Sequence, residues 1–84
     1  MNISFTPDGW DEYLYWQKVD KKMVKRLHEL LKDIARHPYE GIGKPEPLKF
    51  NFAGHWSRRL TEEHRLVYRM EGGNIIVVQV AYHY

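Results

Sequence analysis

Residues 64–81 have the sequence HRLVYRMEGGNIIVVQVA, and this stretch decides the fold. It contains two runs rich in β-branched and aromatic residues, at about 64–70 and 75–82, separated by Glu71-Gly72-Gly73-Asn74. Glycine and asparagine tolerate the positive φ angles of tight turns, so the pattern predicts two antiparallel strands joined by a short turn. The second run is the most apolar in the chain, and we expect it to form the core strand.

The segment before this hairpin predicts two further strands, at about 47–52 and 55–60. Ala53-Gly54 and Thr61-Glu62-Glu63 mark the turns that follow them. Because the turns between consecutive strands are short, the second half of the chain predicts an antiparallel meander.

The N-terminal half predicts a short strand at 2–6 and then two helices. Thr6-Pro7 begins the first helix, since a capping hydroxyl precedes proline at the first helical position. Asp20 can cap the second helix, which ends near Arg36-His37-Pro38 because the residue before proline avoids the α region. The apolar residues of the second helix form one amphipathic stripe, namely Met23, Val24, Leu27, Leu30, Leu31 and Ile34.

These elements predict a single α+β domain over residues 1–84. In it, the N-terminal strand and a two-helix hairpin pack on one face of an antiparallel twisted sheet, and the other face stays partly open. Side chains alternate along a strand, so Arg59 and Arg65 are expected to meet on the open face. Trp56, Arg58 and Leu60 are expected on the opposite side of their strand.

The composition restricts the class of protein. The chain has 84 residues, 43% of them hydrophobic, and no cysteine, which excludes a disulfide scaffold and a zinc–cysteine site. It has no signal peptide and no apolar run of roughly 18 residues, so we predict a cytoplasmic protein that does not enter a membrane. The formal net charge is +2, and all of this excess lies in residues 44–84.

Several side chains of the second half could cleave RNA without a metal or another cofactor. Internal attack by a 2′-hydroxyl needs a base, cations that stabilise the phosphorane, and an acid that protonates the leaving 5′-oxygen. Glu46 could be the base and His83 the acid, since histidine has a reference pKa near 6.5. The flanking Pro45 and Pro47 would stiffen the backbone around Glu46.

Each of these residues also has a purely structural interpretation. Glu46 can be a solvated loop carboxylate, His83 a hydrogen-bonded residue without a role, and Tyr84 a cover for the sheet edge rather than a base-stacking group. The basic residues either contact phosphate or form an ordinary cationic sheet face, and they are Lys49, Arg58, Arg59, Arg65 and Arg69. A metal site at Glu62-Glu63-His64 is not favoured, because adjacent residues alternate faces on a strand.

The chain resembles the YoeB toxins, a branch of the RelE superfamily of bacterial type II toxin–antitoxin systems. The likeness covers the entire length. Its motifs are Trp10-Asp11-Glu12-Tyr13-Leu14-Tyr15-Trp16, Gly43-Lys44-Pro45-Glu46-Pro47-Leu48-Lys49, Trp56-Ser57-Arg58-Arg59-Leu60, Glu63-His64-Arg65-Leu66-Val67-Tyr68 and Tyr82-His83-Tyr84.

This resemblance implies a microbial-ribonuclease-like fold and a ribosome-dependent, metal-independent endoribonuclease that cuts messenger RNA in the decoding site. By the same resemblance, Glu46 is the general base and His83 the general acid, and Arg59 and Arg65 stabilise the transition state. The remaining assignments place Lys49 against the RNA backbone near the scissile phosphate and give Tyr84 a role in positioning the substrate.

The resemblance also implies a YefM-type antitoxin that inhibits the toxin, and a complex of the two that binds its own promoter DNA. Exposed aromatic residues such as Trp10 or Trp16 could serve a homodimer, an antitoxin interface or the core. Two alternatives from other classes stay open at this point: a non-catalytic RNA- or ribosome-binding module, and a co-repressor that acts with its antitoxin.

Overall fold

The computed structural model describes residues 1–82, so the predicted site residues His83 and Tyr84 lie outside the described residues. Within the described range, no helix has the length and apolarity needed to cross a bilayer. In chain order the elements of residues 1–82 are β1 (Ile3–Phe5), α1 (Pro7–Val19), α2 (Lys21–Arg36), β2 (Glu46–Pro47), a 3₁₀ turn (Phe50–Phe52), β3 (Trp56–Arg59), β4 (Arg65–Glu71) and β5 (Asn74–Gln79).

The strands form one five-stranded sheet in the order β1-β5-β4-β3-β2. Strands β2 to β5 pair antiparallel, which confirms the predicted meander. Strand β1 instead runs parallel to β5, with Ile3 opposite Ile75, so the sheet is mixed. The two helices carry the chain from one edge of the sheet to the other, and the predicted α+β class is confirmed.

Both helices begin where their capping residues predict. The Thr6 hydroxyl accepts a hydrogen bond from the Gly9 backbone N–H at 3.2 Å. The Asp20 carboxylate accepts from the backbone N–H groups of Lys22 and Met23 at 3.1 and 3.2 Å. A capping side chain satisfies donors that have no partner inside the helix, so these two boundaries are set locally.

The hydrophobic core lies between the helix pair and one face of the sheet. It includes residues from both helices and from β4 and β5, among them Trp16, Leu27, Leu30, Ile34, Leu66, Tyr68, Ile75 and Val77. Helix α1 lies directly on β5, because a Cβ added at Gly9 would be only 2.7 Å from the Val77 carbonyl oxygen. Of the two tryptophans of α1, Trp16 is a buried core residue, whereas Trp10 is 45% exposed.

Two of the predicted strands end well before their predicted limits. The strand predicted at 47–52 is wrong beyond Pro47, since proline lacks the N–H that a ladder needs and Phe50 has a left-handed φ of 57°. The strand predicted at 75–82 ends at Gln79, and Tyr82 also has a left-handed φ of 57°. A residue with positive φ cannot continue a strand, so the chain turns at both places.

Candidate functional site

Three predicted site residues lie on the same face of the sheet. Arg59 of β3 is directly opposite Arg65 of β4, which confirms that these two residues share a face of the sheet. Glu46 of β2 is opposite Ser57, which precedes Arg59 by two residues. Residues two apart along a strand share a face and are about 7 Å apart. Because Leu66, between Arg65 and Val67, packs towards the helices, this shared face is the one opposite the helices.

Arg65 is nearly buried and is held in a fixed orientation by the turn that precedes it. Its Nη1 donates hydrogen bonds to the backbone oxygens of Thr61, Glu62 and His64 at 2.9, 3.2 and 3.2 Å. Only 9% of the residue is exposed. Carbonyl partners hold the guanidinium without neutralising it, so Arg65 presents a preorganised positive charge at this face.

Arg59 is fixed through its backbone. Its N–H donates to the Gly43 carbonyl at 2.7 Å, and its carbonyl accepts from Nη2 of Arg26 at 3.3 Å. Gly43 has a φ of 80°, and a Cβ there would be 2.8 Å from Cδ2 of Leu30. Only glycine fits at this position. The hydrogen bond from Arg59 to Gly43 therefore joins β3 to the loop that leads to Glu46.

Arg58 is not part of the cationic face. Its side chain is fully buried on the helix side of the sheet, where Nη1 bonds Asp33 Oδ2 at 2.5 Å. The guanidinium also donates to the Tyr68 hydroxyl at 3.3 Å and to three backbone carbonyls, those of His37, Glu40 and Ile42. The phosphate-contacting alternative is therefore wrong for Arg58, which instead fixes the loop after α2.

This network shifts two pKa values. The hydrogen bond from Arg58 holds the pKa of the Asp33 carboxyl below its usual value, although partial burial acts in the opposite direction. Burial raises the pKa of the Tyr68 hydroxyl, which donates a hydrogen bond to the Pro38 carbonyl at 2.6 Å. Both groups therefore keep their ordinary charge near pH 7, with Asp33 as the counter-ion of Arg58.

Glu46 and Lys49 are both exposed at the edge of the sheet. The segment between them is anchored, because Leu48 is buried and its N–H donates to the His55 carbonyl at 2.9 Å. Residues 46–50 line a shallow cavity of about 310 Å³. Phe50, which no sequence motif predicted as a site residue, is 92% exposed beside this cavity.

Comparison with known proteins identifies the family. A sequence profile described as "YoeB-like toxin of bacterial type II toxin-antitoxin system" matches residues 5–84. The chain belongs to the YoeB-like toxin family. The resemblance inferred from the sequence is thus confirmed.

YoeB toxins from several bacteria match along the full chain. Toxin YoeB of Escherichia coli strain K12 is 52% identical over 84 residues, with 100% of both chains covered. A solved structure, "YoeB/ParE toxin from Agrobacterium tumefaciens", superposes with a TM-score of 0.97 at 45% identity and covers 100% of both chains. Staphylococcus aureus YoeB, solved in a YoeB-YefM complex, gives a TM-score of 0.93 at 49% identity, covering 100% of this chain and 98% of that one.

More distant structures share the fold alone. YafQ from E. coli, solved as the mutant H87Q, superposes with a TM-score of 0.81 at 15% identity, over 98% of this chain and 92% of that one. At this level of identity the match shows a RelE- and YafQ-like fold for the YoeB-like chain and carries no residue roles.

Tyr82 of this YoeB-like toxin lies beside Arg65. The Tyr82 carbonyl accepts a hydrogen bond from the Arg65 backbone N–H at 3.0 Å. His83 follows Tyr82 in the sequence but lies outside the described residues, as does Tyr84. Tyr82 itself was not predicted as a site residue, because only the folded chain reveals that its backbone is next to Arg65.

The charges on this face favour an anionic ligand. Arg59 and Arg65 are on neighbouring strands, and the exposed Lys49 is on the edge segment. These cations can bind a phosphate and stabilise the negative charge that it gains during a reaction. Within residues 1–82, no group of three or more His, Asp or Glu side chains is arranged to hold a metal ion.

Proposed function

We propose that this YoeB-like toxin is a ribosome-dependent, metal-independent endoribonuclease that cleaves messenger RNA in the decoding site and thereby stops translation in the cytoplasm. The observation that carries the proposal is the shared sheet face of Glu46, Arg59 and Arg65 in a chain of this family. A carboxylate beside paired guanidinium groups suits proton abstraction next to a phosphate.

The proposed reaction is an internal transesterification. Glu46 accepts the proton of the 2′-hydroxyl, and the 2′-oxygen forms a bond to phosphorus. Arg59 and Arg65 stabilise the charge of the phosphorane, and Lys49 contacts the RNA backbone. The bond from phosphorus to the 5′-oxygen then breaks, and His83 gives its proton to that oxygen. The products are a 2′,3′-cyclic phosphate and a 5′-hydroxyl, and Tyr84 positions the substrate.

The low net charge supports dependence on the ribosome. A formal net charge of +2 gives little general attraction for RNA, because non-specific binding is supplied by many cation–phosphate contacts. The ribosome would instead hold the message in place, and the toxin would add only the catalytic groups. This division of roles predicts poor cleavage of free RNA.

The partners are proposed from the family. S. aureus YoeB has been solved with YefM and as a dimer. By this likeness, the chain binds a YefM-type antitoxin, forms a homodimer, and joins its antitoxin on their own promoter DNA. Co-expression with a YefM-type antitoxin should remove toxicity and yield a complex that elutes as one species.

The decisive experiment maps new 5′ ends on a defined message bound to purified ribosomes. Wild-type protein should produce them, and Glu46→Ala should cleave about 100-fold more slowly while it co-sediments normally with ribosomes. Glu71→Ala is the matched control, since Glu71 is at the far end of β4 and pairs with Arg69 at 3.1 Å. Loss of ribosome binding in Glu46→Ala would make Glu46 a structural residue.

The same assay distinguishes the proposed function from the two alternative functions and tests the role of His83. Tight, salt-dependent ribosome association of the wild type without new 5′ ends would indicate a non-catalytic binding module. An effect seen only as a change in promoter affinity of the antitoxin would indicate a co-repressor. Equal cleavage and equal growth arrest by wild type and His83→Ala would exclude His83 as the acid.

A further inference from the structure

We infer that His64 is a positioning residue for the proposed nuclease: it holds the backbone of Tyr82, whose carbonyl bonds the Arg65 N–H and which directly precedes the proposed acid His83 in the sequence. This inference rests on the proposed function for its link to cleavage. The contact that carries it is the hydrogen bond from the Tyr82 N–H to Nδ1 of His64 at 2.7 Å.

Val80, the residue that follows β5, is held by side chains of helix α1. The Val80 N–H donates to Oε1 of Glu12 at 2.7 Å, and the Val80 carbonyl accepts from Nε1 of Trp16 at 2.8 Å. Both partners are on helix α1. These two hydrogen bonds take the place of backbone pairing with a neighbouring strand, so helix α1 fixes the backbone of Val80.

Tyr82 is held in a backbone conformation that it would not adopt alone. Its φ of 57° is left-handed, which costs a non-glycine residue about 1 kcal/mol. Three hydrogen bonds keep it there, since the carbonyl accepts from the Arg65 N–H at 3.0 Å and from Nε2 of Gln79 at 3.3 Å. Such a conformation persists only where its surroundings over-determine it, and His64 is the only described side chain bonded to the Tyr82 N–H.

His64 itself is held by ring packing and by hydrogen bonds of its side chain and backbone. Its residue is 8% exposed, and its ring packs edge-on against Trp16 and Tyr82, with ring centroids at 4.8 and 4.9 Å. Because Nδ1 accepts a hydrogen bond, the neutral ring carries its proton on Nε2, which is 3.3 Å from Oε1 of Glu63. Its backbone N–H donates to the Thr61 hydroxyl at 3.0 Å.

The turn of residues 61–64 therefore has two functions at the site. Its carbonyls hold the guanidinium of Arg65, and its His64 ring holds the Tyr82 backbone. The same turn therefore holds both the phosphate-stabilising cation and the Tyr82 backbone. Nδ1 of His64 accepts a hydrogen bond from the Tyr82 N–H, so the role of His64 is to position other groups and not to transfer a proton.

Two amide variants separate this role from simple packing. In His64→Asn the side-chain oxygen can occupy the position of Nδ1 and still accept from Tyr82, whereas in His64→Gln the amide reaches the position of Nε2. His64→Asn should keep kcat within about 3-fold of wild type, and His64→Gln should lose about 100-fold in kcat with little change in KM, as expected for a small misplacement of a catalytic group. His28→Gln is a control, because His28 contacts Tyr13 on the helix pair at 2.8 Å.

A second measurement tests the contact itself without cleavage. Amide hydrogen exchange of Tyr82 should be slow in wild type and in His64→Asn, and fast in His64→Gln, with unfolding midpoints of the two variants close together. Equal kcat or equal Tyr82 protection in the two variants would overturn the inference. If wild type does not cleave but Tyr82 protection follows the expected order, the proposed function fails while the contact stands and the catalytic link of His64 is excluded.

Should both amide variants unfold, Glu12 provides the second pair. Glu12→Gln keeps an oxygen for the Val80 N–H, and Glu12→Ala removes it. Glu12→Ala should lose kcat at constant KM, and Glu12→Gln should keep the kcat of the wild type. Loss of kcat in neither variant would contradict the inference.

Discussion

Arg59 and Arg65 stand directly opposite each other on neighbouring strands, so two guanidinium groups share one position of the sheet ladder. Like charges placed directly across a sheet are destabilising, by up to about 1 kcal/mol. Thr61, Glu62 and His64 give Arg65 three carbonyl partners, but these do not remove its charge. The fold thus retains a repulsive pair at the place where the proposed reaction develops negative charge.

Removal of one member of this pair should separate stability from activity. Arg59→Gln is expected to raise the free energy of unfolding by a few tenths of a kcal/mol at low salt, while cleavage falls about 100-fold. Urea denaturation at low and high salt measures the first effect, which should fade as salt screens the repulsion. Arg69→Gln is the control, since it loses an attractive contact with Glu71. A variant that loses stability and activity together would show that Arg59 is mainly structural.

The buried Arg58 should depend strongly on the Asp33 carboxylate. Asp33→Asn is expected to lower the free energy of unfolding by about 3 kcal/mol, because a buried guanidinium loses its counter-ion. The value is at the low end of the range for broken buried pairs, since three carbonyls still bind Arg58. Chemical denaturation measures it. Glu29→Gln, which breaks an exposed pair with Arg26 at 3.9 Å, should change stability by less than about 0.5 kcal/mol.

The same carboxylate predicts a pH dependence of stability. The pKa of Asp33 is lower in the folded chain than its ordinary value of 3.8, so the unfolded state binds the proton more readily. The stabilising contribution is present above the unfolded pKa and is lost as the pH falls through the folded pKa. Unfolding measured from pH 6 down to about pH 2 should show this loss in wild type. Asp33→Asn should have a flatter profile below pH 4, and an unchanged profile would contradict the assignment.

Two glycines with the same backbone angle provide a matched pair. Gly43 has a φ of 80° and Gly73 a φ of 79°, but an added Cβ meets Leu30 Cδ2 at 2.8 Å only at Gly43, with nothing within 4 Å at Gly73. Both alanine variants incur the left-handed strain of about 1 kcal/mol, and Gly43→Ala should be less stable by about 2 kcal/mol more. Urea denaturation of both compares them directly. Equal losses would mean that the loop after α2 yields to the extra methyl group.

The sequence predicts best where structure is determined locally. The helix starts at Thr6 and Asp20 follow from short-range capping, and both are confirmed. Side chains alternate along β3, so the sequence also places Arg58 on the core side of the strand with Trp56. An arginine in a basic segment nevertheless suggests a side chain exposed to solvent. Its partner Asp33 is 25 residues earlier on α2, and no local pattern links the two.

The shortened strands and the site supports depend on distant contacts. The left-handed turns at Phe50 and Tyr82 occur at residues that normally avoid positive φ, so propensity predicts strand there. His64 and Glu12 were not expected to support the site, because the Tyr82 and Val80 backbone groups that they bind are 18 and 68 residues away. Glu46, Arg59 and Arg65 were found from residue type and family likeness, and their chemical roles remain predictions.

The parallel pairing of β1 with β5 has a consequence for the synthesis of this protein. The pairing joins Ile3 to Ile75, and β4 also pairs with β5, so one late strand holds both ends of the fold together. Contacts between residues so far apart in sequence form late, since a long loop must first close. A chain still being translated lacks β5 and cannot complete the sheet. Under the proposed function, the site is therefore incomplete in a growing polypeptide, and cleavage can begin only after β5 has emerged from the ribosome.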